Sequence, residues 1–488
     1  MADILSARQA GLLLPLSALP SRHGIGDMGE TARALVAMLA HAGVRVWQIL
    51  PLNPLGFGNS PYQPYSSFAG DPIYLSLDDL GVAAPAFREN EPRVDYEAVR
   101  AFKEPYLREA FARFQPDEAY AVFVGQAWVR EYAIFATFKK HNGMRCWNEW
   151  PDAMKHYPED PALLLDDYEE DIRYEMFLQY AFFQQWSALK EAANLAGIHV
   201  MGDIPFYVGI DSQDVWAGKA NFLLDEAGQP TYIAGVPPDY FSKTGQRWGN
   251  PIYNWAHMEK TDFAFWLERL RYSSVLFDII RIDHFRAFDT YWKIPASCPT
   301  AEIGEWVEAP GYAFFDRVRE ALPGATIVAE DLGDLRPEVH ALRDHYGLMG
   351  MKIVQFCIQP GQPIAHTADE KENTVIYTGT HDNQTMRGYC QSRTSRERIA
   401  LYRALRRGGY WFGSLPSRFV RYALDDRARL AIIPAQDLLE YDDSARLNTP
   451  GTVGSPNWEW ELAGNSALDA LRRRLQWYGR MLHKAHRK

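Results

Sequence analysis

At 488 residues, with 47% hydrophobic and 23% charged side chains, the chain can bury a large core and remain dissolved. Its formal net charge of −11 argues against a nucleic-acid partner, since phosphate contacts need a basic surface. No stretch of about eighteen apolar residues occurs, and the opening MADILSARQAGLLLPLSALPSRHG lacks the charged start of a secretory signal, so a cytoplasmic protein with no membrane partner is expected.

Apolar runs recur along the chain with helical spacings between them. GLLLPL (11–16) opens the series, followed by VRVWQIL (44–50), IHVMGDI (198–204) and DIIRID (278–283). TIVAED (326–331), MKIVQF (351–356), TVIYTG (374–379) and RLAIIPAQ (429–436) bring the count to eight. Continuous apolar runs alternating with helices predict a buried parallel sheet, and eight units predict an α/β fold closed into a (β/α)₈ TIM barrel.

The spacing is uneven. About 150 residues separate the second and third runs, and some 70 more follow the third, both far beyond a plain connection. Long helical insertions are therefore expected after barrel strands, at about 51–180 and 205–275. The first holds the acidic, aromatic stretches EPYLREAFARF and DDYEEDIRYEMFLQYAFFQQW, the second of which leads back to the third strand. Without a flexible Ser/Gly linker, 1–488 reads as a single catalytic barrel. The short tail after the eighth run predicts no separate C-terminal β-domain. Cys146, Cys298, Cys357 and Cys390 form no CxxC pair and read as reduced structural thiols, not metal ligands.

Three runs end in acids. In a barrel, strand ends at the C-terminal face carry the chemistry. Asp283 follows Arg281 by two residues, which places both on one face of a strand, and the arginine is expected to lower the carboxyl's pKa and keep it ionised. Glu330 follows IVA, an apolar approach that would keep an acid catalyst protonated by desolvation. Its neighbour Asp331 points the other way and reads as a loop or capping carboxylate. Asp382, in TGTHDN beside His381, supplies a third carboxylate that could bind a distorting sugar ring. An ionised Asp and a protonated Glu facing one bond are the parts of a retaining glycoside reaction.

These segments carry a resemblance. The chain resembles the 4-α-glucanotransferases known as amylomaltase or disproportionating enzyme, within the wider α-amylase superfamily, from about residue 9 to 460. VMGDIPFYV (200–208), IIRIDHFRAF (279–288), VAEDLG (328–333) and YTGTHDNQT (377–385) are superfamily-like. LPLNPLGFGNSPYQPYSSFAGDP (50–72), GVPPDYFSKTGQRWGNPIYNW (235–255) and RLNTPGTVGSPNWEW (446–460) are similar to signatures of the family itself. Ala287 and Leu447 depart from it at unreactive positions. The resemblance implies Asp283 as nucleophile, Glu330 as general acid/base and Asp382 as transition-state stabiliser. It implies that Arg281 and His381 contact sugar and that Asp203 supports them. It implies no metal and no organic cofactor.

Aromatic rings suit the C–H faces of glucose units, so Tyr62 and Trp248 are expected substrate contacts, with Ser60 and Asp239 beside them in the same loops. The implied substrates are maltooligosaccharides and starch- or glycogen-derived α-1,4-glucans. The loop at 235–255, with Gly235, Gly245 and Gly249 as hinges, reads as a lid that excludes water. An α-glucan hydrolase would use the same three acids. A non-catalytic glucan-binding protein would be expected to lack one of them.

Overall fold

The structure, a computed structural model, describes residues 4–238, 242–358, 360–362, 364 and 371–487. Its strands in chain order are β1 (Gln9–Leu13), β2 (Val46–Gln48), β3 (His199–Ile204), β4 (Tyr232–Val236), β5 (Gln246–Pro251) and β6 (Ile279–Ile282). They continue with β7 (Thr290–Pro295), β8 (Glu305–Glu308), β9 (Ile327–Ala329), β10 (Gly350–Ile353), β11 (Thr374–Tyr377) and β12 (Leu430–Pro434). Eight of these form one sheet in the order β10-β11-β12-β1-β2-β3-β6-β9, with every pairing parallel. The Ala329 N–H donates to Met349 O at 2.8 Å, which brings β9 beside the start of β10 and closes the barrel.

The eight apolar runs and the eight barrel strands coincide, and all the strands but β3 end before their runs do. MKIVQF leaves the sheet at Ile353, where Val354–Cys357 turns into a short helix. RLAIIPAQ does the same after Pro434. Burial on both faces explains the continuous apolar reading: every residue of β12 is buried.

A GxGxxG string also lies at 24–29, ahead of helix Glu30–Ala42. A 3-10 turn at Leu16–Ala18 separates it from β1, and a Cβ on Gly26 would lie 1.9 Å from Leu16 O. Close backbone packing, not a phosphate site, accounts for that glycine.

The insertion after β2 is helical. Asp95 caps helix Tyr96–Arg113 by accepting from the Ala98 N–H, and Glu169–Leu195 is the long return helix. The insertion after β3 differs from a helical one. It contributes β4 and β5, and the connection after β6 contributes β7 and β8, to an antiparallel sheet in the order β5-β4-β7-β8. Much of the 235–255 stretch is therefore paired strand. Gly235 lies inside β4, where a Cβ would meet Gln246 O at 2.1 Å, so it packs strands and does not hinge. Gly245 and Gly249 do take left-handed φ values of 69° and 83°.

After β12 the described residues contain helices and turns but no named strand. Helix Gly464–Lys484 buries Leu468, Leu471, Leu475, Tyr478 and Leu482 and packs against Glu30–Ala42. Among the described residues no helix is long and apolar enough to cross a membrane.

Candidate active site

The β3–β6 register sets Asp203 directly beside Arg281. The buried guanidinium donates through Nη1 to both Asp203 oxygens, at 2.7 and 2.6 Å, and stands 2.9 Å from Asp283 Oδ1. The Tyr62 hydroxyl donates to Asp203 Oδ2 at 2.8 Å. A tyrosine from the first insertion is thereby tied to the inner layer of the barrel, and one arginine serves two carboxylates.

Asp283 sits one residue past the end of β6 and Glu330 one past β9. The adjoining register pairs Arg281 with Val328 and Ile282 with Ala329, so the two acids emerge at neighbouring strand ends. Glu330 Oε2 accepts from the His284 N–H at 2.8 Å, and Oε1 accepts from the Leu332 N–H at 3.1 Å. His284 adopts a left-handed φ of 52°, and this local twist aims its N–H at the glutamate.

Enclosure and the negative charge of Asp283 push the Glu330 carboxyl up to about 8, against the pull of Arg281 and the two N–H groups. Glu330 is therefore protonated at neutral pH. Asp283 departs from the sequence expectation. Its side chain remains 30% exposed, yet the surrounding protein still disfavours its charge and raises it to about 6, with Asp203 and Asp382 adding to the rise and Arg281 opposing it. Arg281 thus limits an upward shift instead of producing a downward one. The carboxylate is still ionised at neutral pH.

Asp382 rides on the loop after β11. Thr380 donates its N–H and hydroxyl to Asn383 Oδ1 at 2.8 and 2.9 Å, which folds the loop back on itself. His381 Nε2 lies 3.4 Å from Asp382 Oδ2, and Asn448 Nδ2 donates to Asp382 Oδ1 at 2.6 Å. Enclosure acts to raise the Asp382 carboxyl, but His381 and Asn448 outweigh it and hold it down at about 2. Burial acts to lower His381, and Asp382 reverses this to leave the imidazole raised. The Tyr62 ring stacks on His381, with centroids 5.1 Å apart and planes 20° apart.

The structure thus gathers Tyr62, Asp203, Arg281, Asp283, Glu330, His381 and Asp382 into one cluster. Trp248, on β5, joins it through His284, whose ring it meets edge-on at 4.8 Å. Ser60 accepts the Tyr62 N–H at 3.2 Å and so shapes the loop that presents the tyrosine. Asp239 lies outside the described residues. Asp331 accepts from the Met351 N–H at 2.7 Å and pairs with Arg343, the structural part read for it. Sequence reasoning missed His284, Arg446, Asn448 and Trp458. The last three stand in the 446–460 string, whose family signature was visible while its contacts were not. Among the described residues no group of three or more His, Cys, Asp or Glu side chains is arranged to hold a metal ion.

A family model described as 4-alpha-glucanotransferase matches residues 14–466. This chain belongs to that family. It is 43% identical to the 4-alpha-glucanotransferase of Thermus thermophilus, over 93% of this chain and 95% of the relative. The Synechocystis 4-alpha-glucanotransferase is 41% identical over 98% and 99% of the two chains. Among solved structures, the amylomaltase of Streptococcus agalactiae in complex with acarbose superposes with a TM-score of 0.92 at 34% identity, covering 98% of this chain and 99% of that one. The chain is accordingly a transferase acting on α-1,4-glucans, with the retaining chemistry of the 4-alpha-glucanotransferase family.

Proposed function

We propose that Asp283 is the nucleophile, Glu330 the general acid/base and Asp382 the transition-state stabiliser of this transfer. The observation that carries the assignment is the placement of two carboxyls at neighbouring strand ends, with Arg281 2.9 Å from Asp283 and Glu330 raised by enclosure and by the Asp283 charge. Asp283 attacks the anomeric carbon of the donor while Glu330 gives its proton to the departing glycosidic oxygen. A β-glucosyl ester forms on Asp283 and the shortened glucan leaves. Glu330, now a carboxylate, takes the proton from the 4-hydroxyl of an acceptor, which displaces Asp283 and restores an α-1,4 bond. Two inversions give net retention. Asp382, low in pKa, stays charged throughout and faces the positive charge that develops on the sugar ring. Arg281, His381, Tyr62 and Trp248 surround the sugar at the cleavage point.

The substrates in this reading are maltooligosaccharides and the longer α-1,4-glucans of starch or glycogen. The acarbose bound by the Streptococcus agalactiae relative supports a site shaped for such chains. Incubation with maltotriose, followed by chromatography, tests the reading. Glucose should appear together with chains longer than three units, and Asp283→Asn should abolish both. Products that are only shorter than the substrate would make the chain a hydrolase. Near-normal turnover by Asp283→Asn would remove the nucleophile assignment.

A further inference from the structure

Asp382 is the one proposed catalytic acid that no strand end holds: β11 stops at Tyr377, and the loop carries the acid away from the sheet. What holds it comes from the far end of the chain. The Arg446 Nη2 donates to the Asp382 backbone oxygen at 2.6 Å, and its Nε donates to Asn448 O at 2.7 Å. The Asn448 N–H donates to His381 O at 3.1 Å, while its side-chain amide reaches Asp382 Oδ1 at 2.6 Å. Backbone and side chain of the acid's loop are therefore gripped together. The gripping segment is itself braced. The Trp458 N–H donates to Leu447 O at 2.6 Å, and the Tyr96 hydroxyl donates to Trp458 O at 2.7 Å. Arg93 donates to Ser444 O at 3.2 Å. The Trp458 ring packs 5.7 Å from Tyr62 and 5.9 Å from His381.

We propose that Asn448 is a positioning residue for the transfer reaction, acting through Asp382. Its amide is the shortest side-chain contact the carboxylate makes, since the His381 contact is 3.4 Å and comes from the preceding residue of the same loop. A carboxylate rotates freely about its Cα–Cβ and Cβ–Cγ bonds unless an external donor fixes it. Asn448 supplies that donor without supplying charge, so Oδ1 is pinned and the negative charge is kept for the sugar. A hydrogen bond to a charged group that is needed in the transition state is worth about ten- to a hundred-fold in rate when it is lost. The inference rests on the assignment of Asp382 as stabiliser.

The test is a double-mutant cycle with kcat and KM measured on maltotriose. Asn448→Ala should lower kcat about ten- to a hundred-fold with KM changed less than about two-fold. Asn448→Asp, nearly identical in shape and so able to keep the fold, should lower kcat further, because it replaces a donor by a second negative charge. In an Asp382→Asn background, Asn448→Ala should leave the residual kcat on maltotriose within about two-fold, since the amide has lost the group through which it acts. Wild-type kcat in both single variants, or the same fold-loss from Asn448→Ala with and without Asp382, would overturn the inference and make the asparagine a loop brace only. Full activity in Asp382→Asn alone would instead sink the stabiliser assignment, which separates the two failures.

Discussion

Asp283 and Glu330 share one mouth of the barrel and leave it in different protonation states. The guanidinium of Arg281 stands 2.9 Å from one oxygen of Asp283, whereas the direct hydrogen bonds to Glu330 come from two backbone N–H groups and Arg281 favours its charge without touching it. Once Asp283 is ionised, its charge holds the proton on Glu330. In the proposed mechanism the working form has Asp283 without its proton and Glu330 with it. kcat/KM should therefore rise as pH climbs through about 6 and fall as it passes about 8. Both limbs belong to the pair, not to either residue alone. Glu330→Gln should remove the falling limb, and should nearly abolish glycosylation from maltooligosaccharides while sparing much more of it from a glycosyl fluoride, whose leaving group needs little protonation. Rapid-quench rates on the two donors measure this. An equal loss on both would assign the proton to another group.

At the scale of elements, the antiparallel sheet beside the barrel changes what the 235–255 stretch can do. β4 is paired on both sides, with β5 and with β7, so this part of the stretch is a shelf and not a free loop. From that shelf Trp248 touches His284, whose N–H holds Glu330. The indole therefore packs on the residue that holds Glu330, which is proposed to activate the acceptor. Removing it opens a path for water toward the glucosyl-enzyme. Trp248→Ala should depress transfer more than hydrolysis, raising the share of new reducing ends per turnover several-fold. Parallel assays of reducing ends and of elongated products would check it. An unchanged ratio would make the shelf a scaffold with acceptor choice set elsewhere.

For the whole molecule, closure depends on the two ends of the chain. β1 lies between β12 and β2, and helix Gly464–Lys484 covers it from outside, with the Tyr478 hydroxyl donating to Gly11 O at 3.1 Å. Arg487 donates to Gln9 O, Leu424 O, Asp426 O and Ala428 O, which ties the end of the chain to both β1 and the approach to β12. Leu471 on this helix is fully buried, away from every site residue. Leu471→Ala should destabilise the protein by about 2–5 kcal/mol, seen as a lower transition temperature at fixed scan rate. Turnover at low temperature should be unchanged, because the barrel mouth keeps its geometry while the enzyme is folded. A loss of kcat without loss of stability would show that the helix communicates with the site.

Local sequence was enough for the eight strands, and it singled out Asp283 and Glu330, which the structure sets one residue past β6 and β9. A strand buried on both faces must be apolar throughout, and a carboxylate at the end of such a run has no structural reason to be common. It was enough for the helical first insertion as well, where length and acidic-aromatic composition speak without a partner. The second sheet was not legible: β4 and β7 are short, broken by glycine or proline, and acquire meaning only when they meet across 59 residues, as Ala234 does Lys293 in reverse order. The shift of Asp283 escaped for a related reason. Arg281 is two residues away in sequence, but the enclosure and the charges of Asp203 and Asp382 that outweigh it arrive from other strands. Asn448 stood in a recognised string with no sign of its task, since its partner lies 66 residues earlier. Sequence by itself determined the eight strands and singled out the groups now proposed for the chemistry. Tertiary structure decided their protonation and aim, because both are set by whatever the fold brings within a few ångströms, whatever its distance along the chain.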